Sequence, residues 1–193
     1  MKYINLSQTL SSSASSQIFS ENDLELANLV LIEAKKEMHP NIELFASINY
    51  IRESQQFLNE QLMLAATSKI LEHTDGVVVD EVFTNDHHGL NDRFLKELSM
   101  SVGQKHLIIG PTFSQVPSFL QSKLIEELIN FDVSGVMYDV RKNDMEDYAA
   151  LQPLAKLLMH VKKRTSIIPL VKTKEDADTL GKILPVNVIA IEE

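Results

Sequence analysis

"VSGVMYDVRKNDMEDYAAL", residues 133–151, runs from an apolar segment into charge at Asp139, Arg141 and Lys142, and then into a helical pattern. A continuous apolar run with little in–out alternation is how a strand covered on both faces reads. The segment after it, "DMEDYAALQPLAKLLMHV", carries acid at its start and base at its end, as the helix dipole favours. Pro153 inside that segment predicts a kink or a restart. Residues 133–151 thus read as one strand–helix unit with a charged rim, and the question is how often the unit recurs.

It recurs along the whole chain. Strands are expected near 2–6, 28–33, 42–48, 76–83, 105–110, 133–139, 166–171 and 186–191. Between them, "FLNEQLMLAATSKILEH" places Phe57, Leu58, Leu62, Ala65, Ala66 and Ile70 at helical spacing, and "SFLQSKLIEELIN" does so with Phe119, Leu120, Leu124 and Leu128. Ser118 and Thr173 are candidate N-caps. Eight strands alternating with helices imply parallel strands joined by right-handed crossovers. The expectation is a single α/β domain over residues 1–193, a small (βα)8 TIM-type barrel. An open doubly wound sheet is the alternative, weakened because no Gly-rich phosphate loop follows any strand.

The chain has 193 residues, whereas such barrels run to ~250. "AKKEMHPN" is too short for a helix between the second and third expected strands, and nothing follows the eighth. One or two peripheral helices are therefore expected to be missing. That would bare apolar wall where strands 8, 1 and 2 meet, so a homo-oligomer or a protein partner is expected there. The Ser-rich stretch Ser11 to Ser16 reads as a loop.

A formal charge of −9 argues against nucleic-acid or anionic-membrane surfaces. The absence of cysteine excludes disulfides, thiolate metal sites and a thiol nucleophile. No signal-peptide core is visible at the N-terminus and no stretch approaches ~20 apolar residues, so a cytoplasmic protein is expected.

In a barrel of this kind the working residues stand at the C-terminal ends of strands. Those positions hold Glu33, Lys35, Asn49, Glu81, Thr112, Tyr138, Asp139, Lys172 and Glu192. Isolated buried charges are costly, which draws attention to Glu33 and Lys172. A desolvated lysine can form a Schiff base with a ketone, and a nearby Glu can act as acid or base. Taken singly, each is also what a solvated loop residue or a structural ion pair looks like. Asp86, His87 and His88 in "TNDHHGLND" lack a third ligand at helical spacing and read as a surface loop. His73 and His160 fall near helix C-termini, where a cation is favoured anyway.

Several strand ends resemble the type I 3-dehydroquinate dehydratase family, (βα)8 lyases of the shikimate pathway that join a lysine to the substrate ketone. "EAKKE" gives Glu33, Lys35 and Glu37 where the family has Glu-x-Arg-x-Asp. "SINYIRESQ" keeps Glu53 but has Asn49 for an arginine, and "VVVDEVF" keeps Glu81 and Phe83 with Val79 for an aspartate. "IIGPTFSQVP" retains Phe113 and Pro117, with Pro111 in place of the catalytic histidine. "VMYDVRKNDMEDY" shares the turn, Asn143 and Asp147 looking like matching positions, but puts Val136 at the lysine. "VKTKEDAD" keeps Lys172 and reverses the carboxylate-binding arginine to Glu175. The family's glutamine-bearing lid would follow the last strand, and is expected to be absent.

The resemblance implies a barrel that has lost the nucleophile and base and acts as a binding or interaction protein without a cofactor. Glu33, Lys35, Glu81 and Lys172 would be its catalytic positions, and Asn49, Phe113, Tyr138 and Glu192 would face a small anionic or polar ligand. A second possibility is an active lyase or aldolase-type enzyme using Lys172 as a relocated amine with Glu33 or Glu81. A third is a Mg²⁺ or Mn²⁺ enzyme on Glu33, Glu81, Asp139 and Glu192.

Overall fold

Among the described residues seven short strands, all parallel, close on themselves in sequence order. The structure is a computed structural model and describes residues 1–6, 21–47, 56–80, 82, 89–161 and 165–192. The strands are β1 (Lys2–Asn5), β2 (Leu44–Ser47), β3 (Gly76–Val79), β4 (His106–Ile109), β5 (Gly135–Asp139), β6 (Ser166–Val171) and β7 (Ala190–Glu192). Among the described residues six helices surround them: α1 (Glu21–Glu37), α2 (Gln56–Leu71), α3 (Asp92–Val102), α4 (Ser118–Leu128), α5 (Tyr148–His160) and α6 (Lys174–Ile183). A 3₁₀ turn, Pro111–Gln115, follows β4. The chain is thus a small closed α/β barrel.

One expected strand is helix. Residues 28–33, "NLVLIE", lie inside α1. A short apolar run cannot be told from a buried helical segment by periodicity alone. Here the flanks decide it: acid precedes the run, Lys35 and Lys36 occupy the last turn, and Ala27 and Leu31 are buried four residues apart. Leu29, which a two-sided strand would have buried, is exposed. The helix thought missing between the second and third strands is this segment. Among the described residues none follows β7, and a cavity of about 270 Å³, lined in part by Met1, Met38, Ile42 and Ile191, opens beside the β7–β1 seam.

Strand parity splits the core into two. Tyr3, Phe45, Val78, Ile108, Met137, Ile168, Leu170 and Ala190 fill the lumen, and the alternate residues, Val77, Val79, Val136 and Tyr138 among them, pack under the helices. Gly76 makes room at the N-terminal end, where a Cβ would lie 2.3 Å from the Phe45 ring and 2.5 Å from the His106 carbonyl oxygen.

The helix ends follow local chemistry. Thr173 caps α6 as expected, accepting from the Asp176 amide at 3.1 Å while the Asp176 carboxylate accepts from the Thr173 amide. Ser118 is not a cap: it is the first residue of α4, behind Pro117. Nor does Pro153 break α5, which runs through it from an Asp147 cap.

Candidate functional site

The parity that points Tyr3 and Met137 into the lumen also points Ser47, Asp80, Asp139 and Glu192 inward at the C-terminal rim. The charged rim after β5 is part of this ring. Arg141, two residues beyond Asp139, folds back onto it. Its Nε donates to Asp139 Oδ1 at 2.9 Å and its Nη2 to Oδ2 at 2.8 Å, while its backbone amide reaches Oδ1 at 3.0 Å. The same guanidinium donates through Nη1 to Glu192 Oε2 on β7. Arg141 and Glu192 are 19 % exposed and Asp139 21 %, so this is a largely desolvated fork and not a surface pair. Burial works against the charge of Asp139, but the Arg141 hydrogen bonds and charge outweigh it and hold the carboxyl below its ordinary value. Arg141 is correspondingly more firmly protonated, chiefly through its bonds to Asp139.

Asp80 stands at the end of β3. Its Oδ1 accepts from the Thr112 hydroxyl at 2.7 Å and from the Thr112 amide at 3.0 Å. Gly110 permits this, since a Cβ there would lie 2.4 Å from the same oxygen. Burial pushes the Asp80 carboxyl above its usual range, and the Thr112 bonds offset only part of that. On β1 the Tyr3 hydroxyl shares a 2.6 Å hydrogen bond with Ser47. Burial pushes this phenol upward, and the nearby charges of Asp80 and Glu192 add to it. Tyr3, Ser47, Asp80, Thr112, Asp139, Arg141 and Glu192 therefore form one polar chamber over an apolar lumen. Among the described residues, Glu192 Oε1 is buried there without a hydrogen-bond partner.

Thr112, Asp139 and Glu192, expected from strand ends, are brought together. Lys172 continues the inward parity of β6 but is exposed at the rim. Glu33 and Lys35 do not belong to the site: they are exposed on α1, Glu33 paired with Lys36 at 2.7 Å and Lys35 near Asp75 at 3.7 Å, below the start of β3. Phe113 is fully buried core and Tyr138 packs under the helices, its phenol raised by burial and eased by a bond to Gln121, so neither faces a ligand. Asn49, Glu53, Glu81, Phe83, Asp86, His87 and His88 lie outside the described residues. Asn143 and Asp147, the matching turn positions, are structural: Asn143 donates to the Ala150 carbonyl at 2.8 Å and Asp147 caps α5. The carboxylate metal site also fails on geometry, because Arg141 occupies the space between Asp139 and Glu192 that an ion would need. No cluster of three His, Asp or Glu able to hold a metal occurs among the described residues.

Missed from sequence were Asp80, Arg141, Tyr3 and Ser47. Parity carried from strand to strand through the pairing register accounts for all but Arg141, which lies in the turn.

These features define a small parallel α/β barrel with a polar chamber at its C-terminal mouth. No protein-family profile matches the chain, and no curated protein matches it. Among solved structures it is similar to CutC from Streptococcus agalactiae, a protein provisionally assigned to copper homeostasis. The TM-score is 0.70 at 16 % identity, over 100 % of this chain and 88 % of that one. At this identity the likeness shows the fold alone.

The dehydratase resemblance is corrected by these findings. The similar structure belongs to a different kind of protein, and the motifs fail physically. The segment aligned with the family's second strand is helix. Val136, aligned with the Schiff-base lysine, points to the helices, whereas Met137 and Asp139 point inward, so the alignment is out of register by one face. The lyase, shikimate-pathway and non-catalytic dehydratase-homologue readings fall with it.

Proposed function

We propose that this barrel binds a small polar ligand in the chamber formed by Tyr3, Ser47, Asp80, Thr112, Asp139, Arg141 and Glu192. The observation that carries the reading is the convergence of these side chains from β1, β2, β3, β5, β7 and the turn after β4 on one end of the lumen. Apolar lumen below and oriented polar groups above is the composition of a ligand site. A copper function gains no support from this donor set, which is carboxylate, hydroxyl and guanidinium where copper(I) favours thiolate or thioether. Among the described residues no helix is long and apolar enough to cross a membrane, and a cysteine-free chain of charge −9 is consistent with a cytoplasmic setting.

The test is methyl NMR on protein labelled at methionine. Met137 lies in the lumen beneath the chamber, whereas Met100 and Met159 are exposed on α3 and α5. Titration with amines, polyols and hydroxy acids is expected to shift Met137 and leave Met100 and Met159 in place. If no compound moves Met137, or if the outer methionines move instead, the site is not here.

A further inference from the structure

The polar groups of the chamber are not evenly satisfied, and the imbalance has a sign. Three carboxyl groups, Asp80, Asp139 and Glu192, face one guanidinium, that of Arg141. Its Nε and Nη2 are both committed to Asp139 and its Nη1 to Glu192 Oε2. Glu192 Oε1 is left buried with no donor among the described residues. Asp80 is 4 % exposed. Both Thr112 donors go to its Oδ1, they are neutral, and Oδ2 has no partner among the described residues. A buried carboxylate oxygen without a donor is costly. Glu192 Oε1 is such an atom, and Asp80 Oδ2, on the other flank of the Tyr3–Ser47 pair, also accepts from no described residue, so the two together ask for a donor that the described residues do not supply.

Resting on the ligand-binding reading above, we propose that the ligand carries a primary ammonium group, which seats between Asp80 and Glu192 and donates to the two partnerless oxygens. An ammonium brings three donors and a full positive charge on a narrow stem, so it can bridge both carboxylates while the stem points to the mouth. An anion would meet three carboxyl groups, and each nitrogen of the one guanidinium already donates to one of them. A neutral hydroxyl could donate to one oxygen only. Lys172 at the rim does not fill this role from within the chain: it is exposed, and among the described residues it has no ion-pair partner. The raised proton affinity of Asp80 is in keeping with a carboxyl that lacks its cation.

Three probes of equal length separate the possibilities: 1,4-diaminobutane, 1,4-butanediol and succinate, each titrated at pH 7.5 with Met137 as the reporter. The diamine is expected to bind at least tenfold more tightly than the diol, with no shift from succinate. Glu192→Gln, which keeps an acceptor for Arg141 and removes the charge, is expected to weaken the diamine tenfold or more and the diol by much less. If the diol or succinate binds as tightly as the diamine, the ammonium assignment is overturned while the chamber remains a ligand site. If diamine affinity is indifferent to Glu192→Gln, the assignment is likewise overturned. If none of the three shifts Met137, and the broader panel does not either, the ligand-binding reading itself fails.

Discussion

At the N-terminal end of the lumen the space is filled by contact: the Phe45 ring lies against the Gly76 backbone, with its centroid 6.0 Å from that of His106. At the C-terminal end the same lumen is held open by charge, with Arg141 spanning from Asp139 on β5 to Glu192 on β7. The first end is stabilised by close packing and tolerates no added volume. The second contains carboxyl groups that fold against their own solvation, and it is the end where a barrel of this kind places its chemistry. Stability and function thus divide along the strand axis, and that division can be tested by substitution.

The largest effect is expected at the packed end. Gly76→Val drives methyl groups into the Phe45 ring and the His106 carbonyl, and should cost about 3 kcal/mol, measured as a shift in the urea midpoint at constant slope. A loss below ~1 kcal/mol would mean that this end is not close-packed. At the charged end, Arg141→Met leaves Asp139 and Glu192 facing each other without their cation, and should cost about 2 kcal/mol at pH 7. That cost should shrink in acid as the carboxylates protonate.

The two aspartates of the chamber should respond with opposite signs. Asp80 has a raised value in the folded state, so its ionisation disfavours folding. Its unfavourable contribution is absent below the ordinary carboxyl value of 3.8 and grows as pH rises from there to the folded value. Asp80→Asn keeps the acceptor for Thr112 and should therefore be more stable than the parent at pH 7, with the difference vanishing below pH 3.8. Asp139 is depressed, so its contribution is favourable above 3.8 and is lost as pH falls through the folded value. Asp139→Asn should be less stable at pH 7. Equal signs for the two variants in a pH series of melts would break the charge description of the chamber. The smallest effect is expected at Thr173, whose cap of α6 lies on the mouth side but touches no chamber residue; Thr173→Ala should cost about 1 kcal/mol and leave Met137 shifts by ligand unchanged.

The sequence carried the barrel and only part of its mouth. Continuous apolar runs at β3, β4, β5 and β6 were legible because burial on both faces removes alternation. The same property misled at "NLVLIE", where a helix that buries Leu31 and exposes Leu29 imitates a strand. Asp139 and Glu192 were found because charge at a strand end is a local signal, and Thr112 because it stands just past the apolar run of β4. Asp80 was passed over for Glu81 because in a run buried on both faces nothing local says which residue points inward. That assignment comes from register with neighbouring strands, as in Val78 opposite Ile108, and pairing is a long-range property. Arg141 was hidden for another reason: its role depends on Glu192, fifty-one residues away. The dehydratase resemblance went wrong by the same route, matching charges along the chain without their facing.

β7 meets β1 through Lys2 opposite Ile191 and Tyr3 opposite Glu192, and the Met1 amino group donates to the Ile189 carbonyl at 3.0 Å. This closure joins the two ends of the chain, so it carries the largest loop-entropy penalty of any strand pair and completes the ring last in sequence. Glu192 is both a chamber ligand for Arg141 and a partner of β1. Anything bound between it and Asp80 therefore acts as a clasp on the ring. Occupancy should slow amide exchange at Tyr3 and Ile191 more than at β4 or β5, making the protein's own closure a reporter of what it holds.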